Sequence, residues 1–511
     1  MSKFSEILPG MGRGTSRRLV EAAPSPAARS EGPLHHRLRR QFPSPSRGGL
    51  FALALALLPT PALAQTVAIT GGTVALGDGS DPIPGGTVVI QNGRIVSAGR
   101  VSAPAGAQIV DATGKWVTPG LVAGFSRVGL VEVDAVDATN DVQANNAPFS
   151  AAIDIAPAIN PRAAAIAVSR ADGVTRAVVA PATAKSIFAG QGAVIDLASD
   201  MQPITRARAF QFVEFGESGA NDAGGSRAAT FTLFRNALRE ARDVGRFDRV
   251  GGGAGGQRQA RANDQRDFPL EEVPDPNNPL LGSNVQRSDD VLLTRFDAAA
   301  LVPVLTGRQL LLVHVERASD ILQVLNLRRE FPNLRIALVG VTEGWLVAQQ
   351  IAAANVPVIA SAVNDLPASF EQLGATQSNV GRMRAAGVRV AVGMINDDEA
   401  RQVRLSRQYA GNLVSLSKVP GATGLSWGEA LATITSRPAE ALGLGGEIGS
   451  LAAGRRADVV IWDGDPLETN SAPQLVMIDG VRQPLDNRQT KLRDRYRDLR
   501  EDQLPQAYDP R

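Results

Sequence analysis

An apolar run, Leu310-Leu311-Leu312-Val313-His314, opens the most regular part of this chain. Its length and continuous apolar character predict a strand that is buried on both faces. Residues 318–330 then have the pattern of a helix, and 335–340 is again a short apolar run. We therefore predict a strand, a helix and a second strand parallel to the first.

The same alternation extends from this unit in both directions. Residues 173–179 have the pattern of a strand before it, and 345–355, 356–359 and 388–392 have the patterns of a helix and two strands after it. Near-continuous apolar strands alternating with helices predict a parallel sheet covered on both faces. Closed into a ring, this is an α/β fold of the (β/α)8 TIM-like barrel type, with its site at the carboxyl ends of the strands.

Three other regions do not have the barrel pattern. Residues 65–118 contain short strand patterns, with Asn92-Gly93 between two apolar runs as a strong hairpin signal. Residues 216–289 are predicted to be an insertion whose Gly-rich centre, 249–263, buries too little apolar surface to order itself. The charged tail at 485–511 predicts an amphipathic helix, solvated or docked on a partner subunit.

Three motifs bracket the barrel in a fixed order. They are Pro119-Gly120-Leu121-Val122, then Thr435-Ser436-Arg437-Pro438-Ala439, and then Gly449-Ser450-Leu451-Ala452-Ala453-Gly454-Arg455-Arg456-Ala457-Asp458-Val459. This set resembles the opening, late-helix and closing motifs of the amidohydrolase superfamily. Val313-His314 also resembles the fifth-strand run of its imidazolonepropionase-like members. The resemblance implies a barrel over 119–446 and a small β-sandwich domain built from both ends of the chain, 65–118 and 447–484.

The resemblance also implies a chemistry that this chain departs from. Such enzymes hydrolyse non-peptide C–N bonds with Zn²⁺, which is held by a His-x-His pair on the first strand, by further His residues after the fifth and sixth strands, and by an Asp after the eighth. Here Phe125 and Arg127 stand at the two His-x-His positions. A phenyl ring has no lone pair, and a guanidinium is always protonated and repels a dication. We therefore expect no resident cofactor.

Histidine and cysteine are scarce in this chain. It has no Cys and three His, of which His35 and His36 lie near the N-terminus and His314 ends the apolar run described above. His314 matches the fifth-strand position of the family and is a candidate catalytic residue. The alternative is a hydrogen-bonded structural histidine.

Two carboxylates are the other catalytic candidates. Glu343 follows the sixth strand, where it either reaches the barrel mouth or caps the helix after it. Asp397 follows the eighth strand and replaces the family's Asp after a shift of two residues. In that role it would be a general base, and its alternative is a helix N-cap.

Positive side chains are predicted to take part in binding. Arg127, Lys185 and Arg170 are candidates to bring positive charge to the barrel mouth. An arginine in a vacated metal site can pair with Glu316, Glu343 or Asp397 and so replace the lost cation. Arg127, Glu316 and Lys185 are therefore the candidate substrate-binding residues. The alternative for Arg127 is a side chain that points outward into solvent.

Residues 1–64 predict a cleaved export signal. Basic residues precede an apolar run at 50–58, and Ala62-Leu63-Ala64 fits the small-x-small rule before a cleavage site. The run is too short for a stable membrane span. We expect a periplasmic or secreted protein, with a retained anchor as the alternative. The leader holds nine basic and three acidic residues, so the remaining chain is mildly acidic and gives no reason to propose nucleic-acid binding.

Three functions fit these observations. The first is an amidohydrolase-like protein with a degenerate metal site, weak or inactive as a metallohydrolase. The second is an active amidohydrolase with an atypical site built from His314, Glu316, Glu343 and Asp397. The third is a metal-free periplasmic binder of small anionic molecules. A homo-oligomer is compatible with each of the three.

Overall fold

The computed structural model describes residues 66–133, 135–250, 292–396 and 400–497, with the side chains of 246–250 left out. The predicted leader at 1–64 lies outside the described residues. So do Asp397 and nearly all of the predicted flexible centre at 249–263.

Strands and helices alternate along most of the described chain. The strands are β1 (Thr66–Val74), β2 (Ile83–Gln91), β3 (Arg94–Gly99), β4 (Gln108–Asp111), β5 (Trp116–Pro119), β6 (Leu121–Ser126), β7 (Val174–Val179), β8 (Phe188–Asp196), β9 (Ile204–Glu214), β10 (Leu310–Val315), β11 (Ile336–Gly340), β12 (Val358–Ala360), β13 (Val390–Val392), β14 (Val459–Trp462), β15 (Pro473–Ile478) and β16 (Val481–Arg482). The α-helices are α1 (Ala164–Ala171), α2 (Gly216–Asp222), α3 (Arg227–Val250), α4 (Arg295–Leu305), α5 (Ala318–Glu330), α6 (Ala348–Ala353), α7 (Asn379–Ala385), α8 (Ser406–Ser415), α9 (Trp427–Thr433), α10 (Ser436–Ala441) and α11 (Arg488–Tyr496).

One sheet is built from both ends of the described chain. Its order is β16-β15-β14-β5-β1-β2-β3, with β4 beside β1, and the closing-motif strand β14 pairs antiparallel with β5. The predicted hairpin is confirmed, because Asn92 and Gly93 have φ of 51° and 70° between the paired residues Gln91 and Arg94. Two successive positive φ angles are what this tight turn requires. The predicted small domain from both chain ends is therefore present.

The other sheet forms the barrel. Its order is β13-β12-β11-β10-β9-β8-β7-β6, and its ends meet where Met394 donates its backbone N–H to the carbonyl of Phe125 at 3.1 Å. One expectation is wrong, because β8 runs antiparallel to both of its neighbours. The connections at 180–187 and 197–203 are too short for the crossover that parallel neighbours need.

Strand alternation fills the barrel interior with apolar side chains. Phe210 and Phe212 of β9 and Leu310 and Leu312 of β10 belong to one buried cluster with Phe125. Residues two apart on a strand face the same side. The next residues in these two rows, Glu214 and His314, therefore face the barrel axis at the carboxyl ends of their strands.

A buried ion network lies at the amino end of the barrel. Arg176 alternates on β7 with the interior residue Val178 and is fully buried. It donates to both carboxylate oxygens of Asp458 at 2.8 and 3.0 Å and to Asp479 at 3.0 Å. Burial alone would lower the pKa of Arg176, but these carboxylates and Asp196 raise it. Because Asp458 lies in the closing motif, the network connects the barrel to the other sheet.

Helices cover the outside of the barrel and extend the chain beyond it. Where the predicted insertion at 216–289 is described it forms α2 and α3, and α3 packs against α4. The described part of the predicted tail at 485–511 contains α11, in which no residue is buried. Within the described ranges, no helix has the length and apolar character needed to cross a membrane.

Candidate functional site

A cavity of about 310 Å³ lies at the carboxyl ends of the barrel strands. It contains three of the predicted site residues, His314, Glu316 and Arg127, and its lining is predominantly polar. The residues lining it are Phe125, Arg127, Gln143, Ala182, Thr183, Phe212, Glu214, Ser218, His314, Glu316, Glu371, Gln372, Ile395 and Asn396.

His314 lies between two carboxylates in this lining. Its Nδ1 is 2.5 Å from Oε2 of Glu214, and its Nε2 is 3.1 Å from Oε1 of Glu316. The imidazole is 18% exposed, while the side chains of Glu214 and Glu316 are 10% and 5% exposed. The three groups are thus nearly desolvated, and water screens their charges only weakly.

The charges in this triad shift the pKa of His314 and that of Glu316. Burial acts to lower the pKa of His314, but the charge and hydrogen bond of Glu214, together with those of Glu316, raise it well above the usual value. Burial acts to raise the pKa of Glu316, but the hydrogen bond and charge of His314 and the contact with Thr342 lower it. The two carboxylates therefore favour the ionised form of His314, and His314 favours the ionised form of Glu316.

The turn after β11 holds Glu316 in place. Oε2 of Glu316 accepts a hydrogen bond from the backbone N–H of Thr342 at 2.7 Å. Val341, which is buried and β-branched, has a φ of 57°, where such residues are rarely found. Gly340 has a φ of 87°, and a Cβ there would collide with Oε1 of Glu316. This strained turn therefore directs a donor at the carboxylate and leaves room for it.

Phe125 and Arg127 stand where the family resemblance places metal-binding imidazoles. Phe125 is 1% exposed, and its ring packs against that of Phe212 with 5.4 Å between the ring centroids. It therefore completes the apolar floor below the cavity. Arg127 lines the cavity. Burial lowers its pKa, while the charge of Glu214 acts in the opposite direction.

Glu371 fastens the loop after β12 to the segment after β9. Its Oε2 accepts the backbone N–H of Glu217 at 2.7 Å and a guanidinium N–H of Arg227 at 3.1 Å. Burial raises the pKa of Glu371 despite these contacts. This bridge borders the cavity, because Glu371 also lines it.

The side chains present do not fit the zinc ion that the resemblance implies. Zinc binds neutral imidazole nitrogens and carboxylates that converge on one point. Here both ring nitrogens of His314 face carboxylate oxygens, Phe125 offers no donor atom and Arg127 is cationic. Across 66–133, 135–250, 292–396 and 400–497, no group of three or more His, Asp or Glu side chains could hold a metal ion.

Glu343 does not line the cavity, contrary to its predicted catalytic position. Its carboxylate accepts the backbone N–H of Ala318 at 2.9 Å and that of Gly374 at 3.0 Å. It therefore caps the start of α5 and fixes a loop, and the helix it caps precedes it in sequence. Asp397 lies outside the described residues.

Two of the predicted cations also lie outside this cavity. Lys185 lines a separate cavity, with its Nζ 3.4 Å from the side-chain oxygen of Asn146. Arg170 donates to the backbone carbonyls of Leu197 and Pro484. Arg127 alone of the three lies in the cavity, because the other two are on segments directed elsewhere.

Glu214 is absent from the residues predicted on sequence grounds, although it contacts His314 directly. A signal for it exists in the run Phe210-Gln211-Phe212-Val213-Glu214. Alternate aromatic residues mark the interior face, and the carboxylate follows them in the same row at the end of the strand. A carboxylate at the end of such a row points into the mouth of a barrel.

Comparison with known proteins gives matches of two kinds to parts of the sequence. Residues 345–482 match the model of the amidohydrolase family. A 60-residue segment is 48% identical to amidohydrolase tasK of Hapsidospora irregularis and covers 12% of this chain and 6% of that protein. A 107-residue segment is 39% identical to the imidazolonepropionase of Acidiphilium cryptum and covers 20% of this chain and 24% of that enzyme. The chain thus spans no more than about a quarter of the length of these relatives.

The whole fold is also similar to a solved structure. The amidohydrolase from Thermotoga maritima superimposes with a TM-score of 0.66 and 23% identity, covering 81% of this chain and 99% of that chain. At this identity the likeness shows the shared fold and nothing about the reaction.

Proposed function

We propose that the chain is a member of the amidohydrolase superfamily that lacks the family's metal chemistry and whose barrel cavity binds a small polar molecule. In this proposal the protein is weak or inactive as a metallohydrolase. The barrel is retained as the scaffold of a binding site.

The position of His314 is the observation that carries this proposal. The family's imidazoles bind metal through free nitrogen lone pairs, whereas both nitrogens here are within hydrogen-bond distance of Glu214 and Glu316. Phe125 and Arg127 remove the partners that a metal would need on the first strand. The alternative of an active hydrolase built on His314, Glu343 and Asp397 is not favoured, because Glu343 is engaged with two backbone N–H groups away from the cavity.

The cavity lining supports small-molecule binding. Uncharged hydrogen-bonding side chains from separate segments, Gln143, Thr183, Ser218, Gln372 and Asn396, surround the charged triad and Arg127. A volume of about 310 Å³ is at the lower end of ligand pockets. We also propose export with cleavage near Ala64, and assembly as a homo-oligomer.

Metal content is the measurement that tests this function. The protein, exported with its own leader and carrying an affinity tag free of histidine, is purified from the periplasm without chelators. We expect zinc and manganese far below one equivalent per chain by mass spectrometry, and an N-terminus at Gln65. A second sample, incubated with excess zinc and desalted, controls for metal lost during purification.

Hydrolysis of a panel of cyclic amides and dipeptide-like amides is measured on the same samples. We expect no turnover above that of a His314→Gln variant, with or without added zinc. Near-stoichiometric metal together with metal-dependent turnover would overturn the proposed function in favour of an active amidohydrolase.

A further inference from the structure

We propose that Glu214 and Glu316 hold His314 as a fixed, doubly protonated imidazolium near neutral pH, which occupies the cavity as a cation and closes this position to metal. The inference rests on the proposed function and deepens it, because it names the residues that exclude the metal. Phe125 and Arg127 remove ligands from the first strand, whereas Glu214 and Glu316 disable the one imidazole that is present.

The hydrogen-bond geometry favours this protonation state. An ionised carboxylate accepts hydrogen bonds and cannot donate them. Nδ1 and Nε2 of His314 each lie within hydrogen-bond distance of a carboxylate oxygen, at 2.5 and 3.1 Å. A neutral imidazole carries one N–H, so one of its nitrogens would direct a lone pair at a carboxylate oxygen. With both nitrogens protonated, each contact becomes a charge-assisted hydrogen bond.

The carboxylates are placed by the backbone and do not depend on the imidazole. Glu316 is held by the N–H of Thr342 at 2.7 Å, and Gly340 leaves the space that its Oε1 occupies. Glu214 ends β9, which pairs in register with β10 so that Glu214 lies beside His314. The two acceptors are therefore in position before any ligand arrives.

The charged groups around the triad are consistent with this state. Four charged groups from separate segments line the cavity with His314: Glu214 from β9, Glu316 immediately after β10, Arg127 immediately after β6, and Glu371 from the loop after β12. Arg127 opposes a second cation, and Glu371, bridged to Arg227, favours one. Glu214 and Glu316 contact His314 directly, and their effect on its pKa outweighs that of Arg127.

A histidine in this state cannot act as a metal ligand or a general base, because both actions require a free lone pair. Glu214 and Glu316 are positioning residues that act through His314. Their substitution is therefore expected to change the protonation of His314, an effect that a merely structural role would not have.

Nitrogen NMR of the histidine tests the inference directly. His314 is the only histidine after the predicted leader, so protein labelled with ¹⁵N-histidine gives one imidazole signal, which a His314→Gln variant identifies. In the unaltered protein we expect two similar nitrogen shifts, typical of an imidazolium, from pH 6 to pH 8. The usual midpoint for histidine is about 6.5. A neutral tautomer at pH 7.5 would overturn the inference.

Variants assign the effect to the two carboxylates. Glu214→Gln and Glu316→Gln keep the side-chain shape and remove the charge, and each is expected to lower the midpoint of His314 by about one pH unit or more. Glu214→Asp is expected to restore part of the shift. Glu343→Gln is the matched control, because Glu343 does not contact His314, and it should leave the midpoint unchanged. Unchanged midpoints in both glutamine variants would contradict the assignment even if the unaltered protein is an imidazolium.

Zinc uptake separates this inference from the proposed function. The double variant Phe125→His with Arg127→His is compared with the same variant carrying Glu214→Gln and Glu316→Gln. We expect several-fold more bound zinc in the second. Equal, near-stoichiometric zinc in the double and the fourfold variant would contradict the inference and leave the proposed function unaffected. Zinc in the unaltered protein would instead contradict the proposed function itself. If the fourfold variant does not fold, the NMR titration of the unaltered protein still tests whether His314 is an imidazolium.

Discussion

The two ends of the same barrel hold buried charge clusters of different construction. At the amino end, Arg176 is fully buried, and its guanidinium reaches Asp458, Asp479 and Asp196. At the carboxyl end, His314 lies between Glu214 and Glu316 in the wall of a cavity. The centre of the first cluster, Arg176 with Asp458, is enclosed by protein, although Asp479 at its edge is 33% exposed. The second cluster is open to the cavity on one side.

This difference separates a structural role from a binding role. The Arg176 cluster joins β7 to the closing-motif segment, so its bonds are made once, during folding. The His314 cluster satisfies its own charges yet leaves polar atoms facing a space that a ligand can enter. Position along the strands matches this division, because sites of barrel enzymes lie at the carboxyl ends and the amino ends serve stability.

Removing the centre of the enclosed cluster is expected to have the largest effect. Arg176→Met leaves the buried Asp458 without its bidentate partner, and breaking a buried pair in this way costs about 3–5 kcal/mol in the free energy of unfolding. Chemical denaturation measures the change. Arg206→Met, which breaks the exposed pair of Arg206 with Glu447, is the control and should cost less than about 1 kcal/mol. Similar losses in the two variants would remove the distinction.

Crowding the open cluster is expected to have the next largest effect. Gly340→Ala places a Cβ against the carboxylate of Glu316 at a φ of 87°. Gly387→Ala is the matched control, because Gly387 has a φ of 90° but no atom within 4 Å of the added Cβ. The control should show only the backbone strain, on the order of 1 kcal/mol. We expect Gly340→Ala to cost at least about 1 kcal/mol more in denaturation, and equal costs would mean that Glu316 moves aside freely.

The dependence of stability on pH is expected to show the smallest effect. Because the folded-state pKa of His314 is raised, its contribution is fully present below the unfolded pKa of about 6.5. The contribution then declines as pH rises above that value and is lost once pH passes the folded-state pKa. Denaturation of the unaltered protein and of His314→Gln at pH 6, 7, 8 and 9 should therefore give a stability difference that shrinks with rising pH. A difference that grows with pH would contradict the imidazolium.

Much of the fold can be predicted from local sequence patterns. Neighbouring residues alone set the local backbone conformation in several places. These are the run at Leu310 with the helix after it, the Asn92-Gly93 hairpin, and the motifs at both chain ends. The antiparallel β8 was not predicted, because its apolar residues fit a buried strand of either direction. The length of the connections could have indicated the antiparallel direction of β8. Residues 180–187 and 197–203 are too few for the crossover that parallel strands need.

The site was predicted only in part. His314, Glu316 and Arg127 lie in one cavity, because strand ends converge in any closed barrel. Glu343 and Lys185 follow strands as well, but their turns direct them to a backbone cap and to a second cavity. The direction of a side chain after a strand ends depends on turn geometry, which residue type alone does not specify.

The sequence by itself determined the resemblance to the amidohydrolase superfamily, the barrel with a domain from both chain ends, and the absence of imidazoles at Phe125 and Arg127. These features depend on residues that are contiguous in sequence, and the spacing and chemistry of such residues are local properties. Only the tertiary structure placed Glu214 against His314, since the two residues are 100 positions apart and meet through the pairing of β9 with β10. Whether that histidine faces a metal or two carboxylates depends on contacts that only the folded barrel creates.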